Sequence, residues 1–323
     1  MAVYTHLSAV TLTALLAQYD VGELLSAEGI AEGVSNSNWL IETIRPDGSG
    51  RRFVLTMYER RIDLADLPFF LALLDHLAAK GCPVPRTIPD REGAPFRLVD
   101  GKPVALIEFL PGTWPTDPRH AQARAAGAAL AQVHLAAQDF PLARKDTLDI
   151  TGNRAALERL GNKKLEQIDP ALADLIPLAR QLERDWPSDL PVSIIHSDLF
   201  PDNVLMLGER VTGLIDFYFA CRGAMAYDLA VAHAAWSFDK RGAWYGAAIG
   251  DALVEGYQSV RVLDPRERDS LVLLAQGACL RFIVSRAEDW FETPSGALVE
   301  RKDPMDFARR LEFYRSSGQS AFS

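Results

Sequence analysis

The stretch Ile194-Ile195-His196-Ser197-Asp198-Leu199-Phe200-Pro201-Asp202-Asn203, followed by Leu214-Ile215-Asp216-Phe217, decides how this chain is read. The pattern is His-x-Asp-x-x-x-x-Asn, then Asp-Phe. The apolar run Val192 to Ile195 predicts a strand that delivers His196 at its end. Further strands are expected over Val204 to Leu207 and Val211 to Ile215, joined by a turn at Gly208-Glu209-Arg210. Such a hairpin projects Asn203 and Asp216 from one end, where a single cation could bridge them. Each residue alone is ordinary turn or cap chemistry, Asp202-Asn203 above all. Together they supply what phosphoryl transfer from ATP needs. Asp198 orients an attacking hydroxyl, and Asn203 and Asp216 hold Mg²⁺ against the phosphates. Spacing assigns the hydroxyl to Asp198, so His196 is expected to brace the loop.

Composition is consistent with an enzyme of this kind. The chain has 323 residues, 48% of them hydrophobic, enough for two lobes with a substantial core. Its formal charge of −9 argues against nucleic acid or an anionic membrane as the main partner. An acidic protein that binds ATP needs local neutralisation of phosphate, which Mg²⁺ supplies. Cys82, Cys221 and Cys279 are scattered, without a CxxC pair, so neither a disulfide framework nor a zinc site is expected. Met1 to Asp20 has no basic start and no unbroken apolar run, unlike a signal peptide. Leu271 to Val284, broken by Gln276 and Arg281, reads as a buried helix too short and polar to span a bilayer. A cytoplasmic enzyme, monomer or homodimer, is the expectation.

Helices are predicted over Leu7 to Tyr19 and Leu67 to Ala79, and strands around Ile41, Arg52 to Tyr58, Phe96 to Val99 and Val104 to Phe109. Beyond Leu110-Pro111-Gly112 helical patterns dominate: Ala121 to Gln138, Ala171 to Trp186, Ala226 to Trp236, Tyr245 to Val260, Arg266 to Trp290 and Pro304 to Tyr314. The expected fold class is therefore α+β and bilobal, with a small β-rich lobe (1–110) for nucleotide and a larger helical lobe (111–323) for catalysis and substrate.

Gly29 to Asn38 is rich in Gly, Ser and Asn and precedes a strand. Small residues there let backbone amides approach a phosphate, with Gly33, Ser35, Asn36 and Ser37 as candidates; an ordinary turn is the plainer reading. Glu108, Phe109 and Leu110 fit the segment whose backbone would pair with adenine. No lysine precedes Lys80, and Thr56 stands about where a phosphate-binding lysine is expected. Arg52, Arg60 and Arg61 are the nearby cations.

The run His196 to Leu205, with Gly213-Leu214-Ile215-Asp216-Phe217-Tyr218-Phe219-Ala220-Cys221, resembles the aminoglycoside phosphotransferase-like superfamily, and within it the bacterial homoserine kinase family. Similar stretches run end to end, from Met1-Ala2-Val3-Tyr4-Thr5 through Leu55-Thr56-Met57-Tyr58-Glu59 and Tyr227-Asp228-Leu229-Ala230 to Lys302-Asp303-Pro304. The resemblance implies a protein-kinase-like fold, ATP and Mg²⁺ as cofactors, and L-homoserine as the small-molecule substrate. It makes the missing lysine a family trait. It also implies that Asp228 hydrogen-bonds the catalytic loop. Arg222-Gly223 and Ala234-Ala235-Trp236 depart from the family pattern near the expected substrate pocket.

A zwitterion such as homoserine needs a cation for its carboxylate and an acid for its ammonium. Tyr218, Arg222, Asp228 and Arg281 are the substrate-binding candidates, with Arg286 and Asp289 behind them. Arg281 interrupts an apolar helix, as a carboxylate clamp or as a buried structural arginine. Other readings are a related kinase for choline, methylthioribose, an aminoglycoside or a sugar, and a nucleotide-binding pseudokinase.

Overall fold

The computed structural model describes residues 7–30, 36–59, 63–292 and 301–322. The chain divides into two compact units, Met1–Pro111 and Gly112–Ser323.

The first unit opens with α1 (Ala9–Leu16), whose first turn is closed by Ser8 Oγ accepting from Thr11 N at 3.1 Å. Six antiparallel strands follow: β1 (Glu23–Ile30), β2 (Asn36–Ile44), β3 (Gly50–Tyr58), β4 (Thr87–Ile88), β5 (Arg97–Val99) and β6 (Lys102–Glu108). Their order is β1-β2-β3-β6-β4, with β5 paired to β6. Period-two alternation puts Trp39 and Ile41 of β2, and Phe53, Leu55 and Met57 of β3, on one face, where they pack with Leu12, Leu16 and Tyr19. On β2 and β3, Asn38 and Thr56 are register partners, and Thr56 Oγ1 donates to Asn38 Oδ1 at 2.8 Å. Between β3 and β4 lies α2 (Leu67–Ala79), which buries Leu67, Phe70, Leu73 and Leu77.

β1 was not predicted. It is an edge strand with no fully buried residue and a bulge between Leu24 and Ser26, so it lacks the alternation of buried and exposed positions that marks a core-facing strand. The Gly29 to Asn38 cluster consequently joins two strands. Gly29 and Ile30 end β1, while Asn36, Ser37 and Asn38 open β2.

The second unit holds α3 (His120–Ala136), α4 (Ile150–Leu160), α5 (Asn162–Ile168), α6 (Leu175–Asp185), β7 (Val192–Ile195), β8 (Val204–Leu207), β9 (Arg210–Leu214), β10 (Cys221–Ala224), α7 (Met225–Trp236), α8 (Ala247–Gln258), α9 (Pro265–Glu292) and α10 (Met305–Ser317). β7 pairs with β10, and β8 with β9. The helix predicted from Ala171 begins at Leu175 instead. Pro177 would break the interior of the longer helix, but in the first turn its missing N–H costs nothing. α3 and α8 touch backbone to backbone. A Cβ on Gly127 would lie 2.0 Å from Leu253 O, and one on Gly256 would lie 1.9 Å from Arg124 O.

α9 matches the predicted Arg266 to Trp290 within two residues at each end, but its apolar part is not confined to Leu271 to Val284. Among the described residues it is a helix long and apolar enough to cross a membrane by length and composition. It packs against α7 and α10, with 67% of its most apolar window buried inside the protein, so core packing accounts for its apolar character.

Candidate active site

β7 pairs with β10 in a register that sets Ile195 opposite Cys221, and the loop leaves β7 at His196. Phe200 N donates to Asp198 O at 2.8 Å, and Asn203 N to Phe200 O at 3.0 Å. The Asn203 amide turns back on the loop, Nδ2 donating to Asp198 O at 2.8 Å. Across the next hairpin Val204 faces Leu214, and Ile215 N donates to Asn203 O at 3.0 Å. One set of backbone bonds thus brings together Asp198, Asn203 and Asp216.

Asp216 (φ 65°, ψ 54°) and Ser197 (φ 66°), the neighbour of Asp198, are left-handed without being glycine. Such conformations cost on the order of 1–3 kcal/mol and persist where the surroundings over-determine them. Asp228 supplies that determination for Ser197. Its carboxylate is fully buried, Oδ2 accepting from His196 N and Oδ1 from Ser197 N, both at 2.7 Å. His134 on α3 reaches Asp228 Oδ2 through Nε2 at 2.9 Å, and its Nδ1 meets Tyr257 OH of α8 at 2.8 Å. Burial would raise the Asp228 carboxyl, but the bonds from His134 and His196 hold it below the usual carboxylate range. The glycine crossing of α3 and α8 therefore fixes the far end of this brace. Asp228, a substrate candidate from sequence, has both oxygens engaged by the loop.

His196 is also a brace. Nε2 lies 2.9 Å from Ile215 O, and Nδ1 accepts from Asp198 N at 3.2 Å. With one ring nitrogen donating and the other accepting, the imidazole is neutral, and burial pushes its pKa below the ordinary value.

Arg281 reaches the loop from α9. The residue is 2% exposed. Its Nη1 donates to Ser197 O and, at 3.0 Å, to Ser197 Oγ, and its Nη2 stands 3.8 Å from Asp198 Oδ1. Of the two expected roles, carboxylate clamp and buried structural arginine, these loop contacts fit the second.

Burial raises the Asp198 carboxyl, with Arg281, His196 and Lys302 opposing. Asp216 is pushed up to about 7 by its protein surroundings and by the carboxylates of Asp198 and Asp202, although its side chain reaches solvent. The Asp216 carboxylate and the Asn203 amide, whose N–H is engaged and whose Oδ1 is left for a ligand, form a two-residue donor pair suited to a hard cation. No three His, Cys, Asp or Glu side chains converge on one point among the described residues. Two protein ligands suffice where phosphate oxygens and water complete the shell, as is usual for Mg²⁺.

The remaining candidates are dispersed. Tyr218 is half-buried in the turn after Asp216. Arg222 is exposed on β10 and lines a cavity of about 570 Å³ with Arg144, Asp146, Trp186 and Tyr227. In the first unit, Gly33, Ser35, Arg60 and Arg61 lie outside the described residues. Asn36 and Ser37 are buried in β2, and Ser37 Oγ donates to Glu59 Oε1 at 2.7 Å, so these two are strand residues and not open loop donors. Glu108 ends β6, and its N donates to Arg86 O at 2.9 Å. Phe109 lies under the Arg52 guanidinium at 4.3 Å, and the chain leaves regular structure at Leu110. The sequence reading missed an ion pair here. Lys102 Nζ meets Glu59 Oε2 at 2.5 Å. Trp236, singled out from sequence only as part of a departure from the family pattern, has its Nε1 donating to Leu199 O at 2.9 Å.

Comparison with known proteins accords with this geometry. The phosphotransferase enzyme family matches over residues 26–263. A homoserine kinase from Allorhizobium ampelinum is 45% identical over 321 residues, covering 98% of this chain and 97% of its own. A homoserine kinase from a Chelativorans species is 46% identical over 316 residues, covering 98% and 96%. The crystal structure of a spectinomycin phosphotransferase in complex with ADP and spectinomycin superposes with a TM-score of 0.68 at 16% identity, covering 99% of each chain. A homoserine kinase similarity that runs end to end, on a phosphotransferase fold, leads to one assignment: the chain belongs to the phosphotransferase enzyme family and, within it, to the homoserine kinases.

Proposed function

We propose that the protein transfers the γ-phosphoryl group of ATP to the side-chain hydroxyl of L-homoserine, giving O-phospho-L-homoserine and ADP, a step of threonine biosynthesis. The observation that carries this reading is the bonded loop joining Asp198, Asn203 and Asp216, in a chain similar throughout to homoserine kinases.

Asp198 orients the hydroxyl and accepts its proton as the oxygen attacks phosphorus and the bond to ADP breaks. Asn203 and Asp216 would hold Mg²⁺, which neutralises phosphate charge when bound. Asp228, His196 and Arg281 act through the loop and position Asp198. The first unit takes the nucleotide, with Gly33 and Ser35 as the candidate phosphate contacts and the 108–110 backbone as the candidate partner of adenine. The charge of −9 fits a small-molecule enzyme of the cytoplasm better than a partner of nucleic acid or membrane.

A coupled ADP-release assay over L-homoserine, L-serine, L-threonine, choline, methylthioribose and kanamycin tests the assignment. Homoserine is expected to give the highest kcat/KM by at least about tenfold. Preference for another alcohol would transfer the assignment to that substrate, and no ADP release with any would favour a pseudokinase. Arg281→Met is expected to lower kcat by roughly 10-fold or more, and the melting temperature with it, because a buried loop contact is lost. KM for homoserine should stay within about threefold. A large rise in KM with kcat intact would return Arg281 to the role of substrate clamp.

A further inference from the structure

The second unit contains a cavity of about 820 Å³ that the loop chemistry above does not use. Five of its lining residues are cations: Lys240, Arg241, Arg301, Lys302 and Arg309. Its two acids are already engaged. Asp306 meets Arg286 at 2.8 Å and Arg309 at 2.9 Å, while Asp303 Oδ1 accepts from Met305 N at 2.9 Å at the start of α10. The cavity is therefore net positive in a chain of formal charge −9.

Both walls are tied to the residues that follow Asp198. One wall, 240–243, continues from α7, where Trp236 Nε1 bonds Leu199 O at 2.9 Å. The buried Arg310 holds the chain leading into this wall, donating to Ala234 O at 2.8 Å and to Asp239 O at 2.9 Å. The other wall, 301–309, carries Phe307. Its ring centroid lies 6.0 Å from that of Phe200 and 4.6 Å from that of Phe282. Arg286 joins this wall to α9, donating to Asp303 O at 2.7 Å and covering the Phe307 ring at 4.7 Å. Leu199 and Phe200 thus set the position of a positive cavity relative to the proton acceptor. Lys302 stands on the wall that carries Phe307, and its charge opposes the rise of both the Asp198 and the Asp216 carboxyl.

Homoserine carries its carboxylate about 5 Å from its hydroxyl, so a hydroxyl held at Asp198 leaves a nearby anion that needs a cation of its own. Arg281 is committed to Ser197, and Arg222 lines a different cavity. We propose that the basic cavity receives the α-carboxylate of the substrate, with Lys302 as the cation that meets it. This rests on the homoserine reading and names the specificity-determining residue for it.

The test compares L-homoserine with 3-aminopropan-1-ol, the same alcohol without the carboxylate, in wild type, Lys302→Met, Lys302→Arg and Arg241→Met. Each variant is first shown to melt cooperatively. Lys302→Met should raise KM for homoserine 30-fold or more and reduce the homoserine-to-aminopropanol ratio of kcat/KM by a similar factor. KM for ATP should stay within twofold, which a general loss of structure would not spare. Lys302→Arg should recover most of the ratio, and Arg241→Met, which removes a neighbouring positive charge, should lower it several-fold. If wild type phosphorylates homoserine and Lys302→Met leaves the ratio unchanged, the clamp is overturned and the activity stands. An equal rise of both KM values also overturns it, assigning Lys302 to the phosphates. If wild type acts only on alcohols lacking a carboxylate, both readings fall.

Discussion

Replacing Asp198 with asparagine is expected to cut turnover by about 10²–10⁴ while ATP binding stays near wild type. Asparagine keeps the size of the side chain and leaves the backbone bonds of Asp198 to Phe200 and Asn203 in place. It removes the group that accepts the hydroxyl proton. Arg281 keeps both of its contacts to Ser197, so the loop should hold its shape. Initial rates by coupled ADP release, with calorimetric binding of a non-hydrolysable ATP analogue, check both halves. A folded variant keeping more than about a tenth of the wild-type rate would mean that the proton leaves by another route.

The second large effect is expected at Asp216. Asp216→Asn tolerates the left-handed backbone, so the loss should report ligand chemistry and little strain. A neutral amide is a weaker ligand for a hard cation than a carboxylate. The Mg²⁺ concentration for half-maximal rate should therefore rise by at least about tenfold, and by more than in Asn203→Ala. Chelation should stop the wild-type reaction. An unchanged Mg²⁺ titration in both variants would remove these residues from the metal site.

Local chemistry was legible in the sequence wherever it was local. Val192 to Ile195 and Val204 to Leu207 are strands as read, and α2 spans Leu67–Ala79 as predicted, because each has the burial pattern its composition announces. α4 escaped notice although Asp149 caps it, accepting from Gly152 N at 2.7 Å, since Gly152 and Asn153 in its first turn read as loop. The supporting contacts were harder still. Lys102 meets Glu59 across 43 positions and His134 meets Asp228 across 94, and no spacing rule links residues so far apart. Arg281 shows the opposite case. An arginine in an apolar helix signals a partner, but only the fold reveals that Ser197 is one.

α9 has a consequence for how this enzyme can change. Along one rigid rod it presents Gly277, against which the Trp186 ring closes, then Arg281 to the loop, then Arg286 to Asp303 and Asp306. These offsets work as the teeth of a key. Adding or deleting a single residue between positions 277 and 286 would rotate everything beyond it by about 100° and slide it by about 1.5 Å. Point substitutions in α9 can be absorbed one contact at a time, but a change of length would misalign the loop brace and the wall of the basic cavity together. Substrate preference in this framework can thus drift through side chains on the cavity walls, while the length of this stretch of α9 stays constrained.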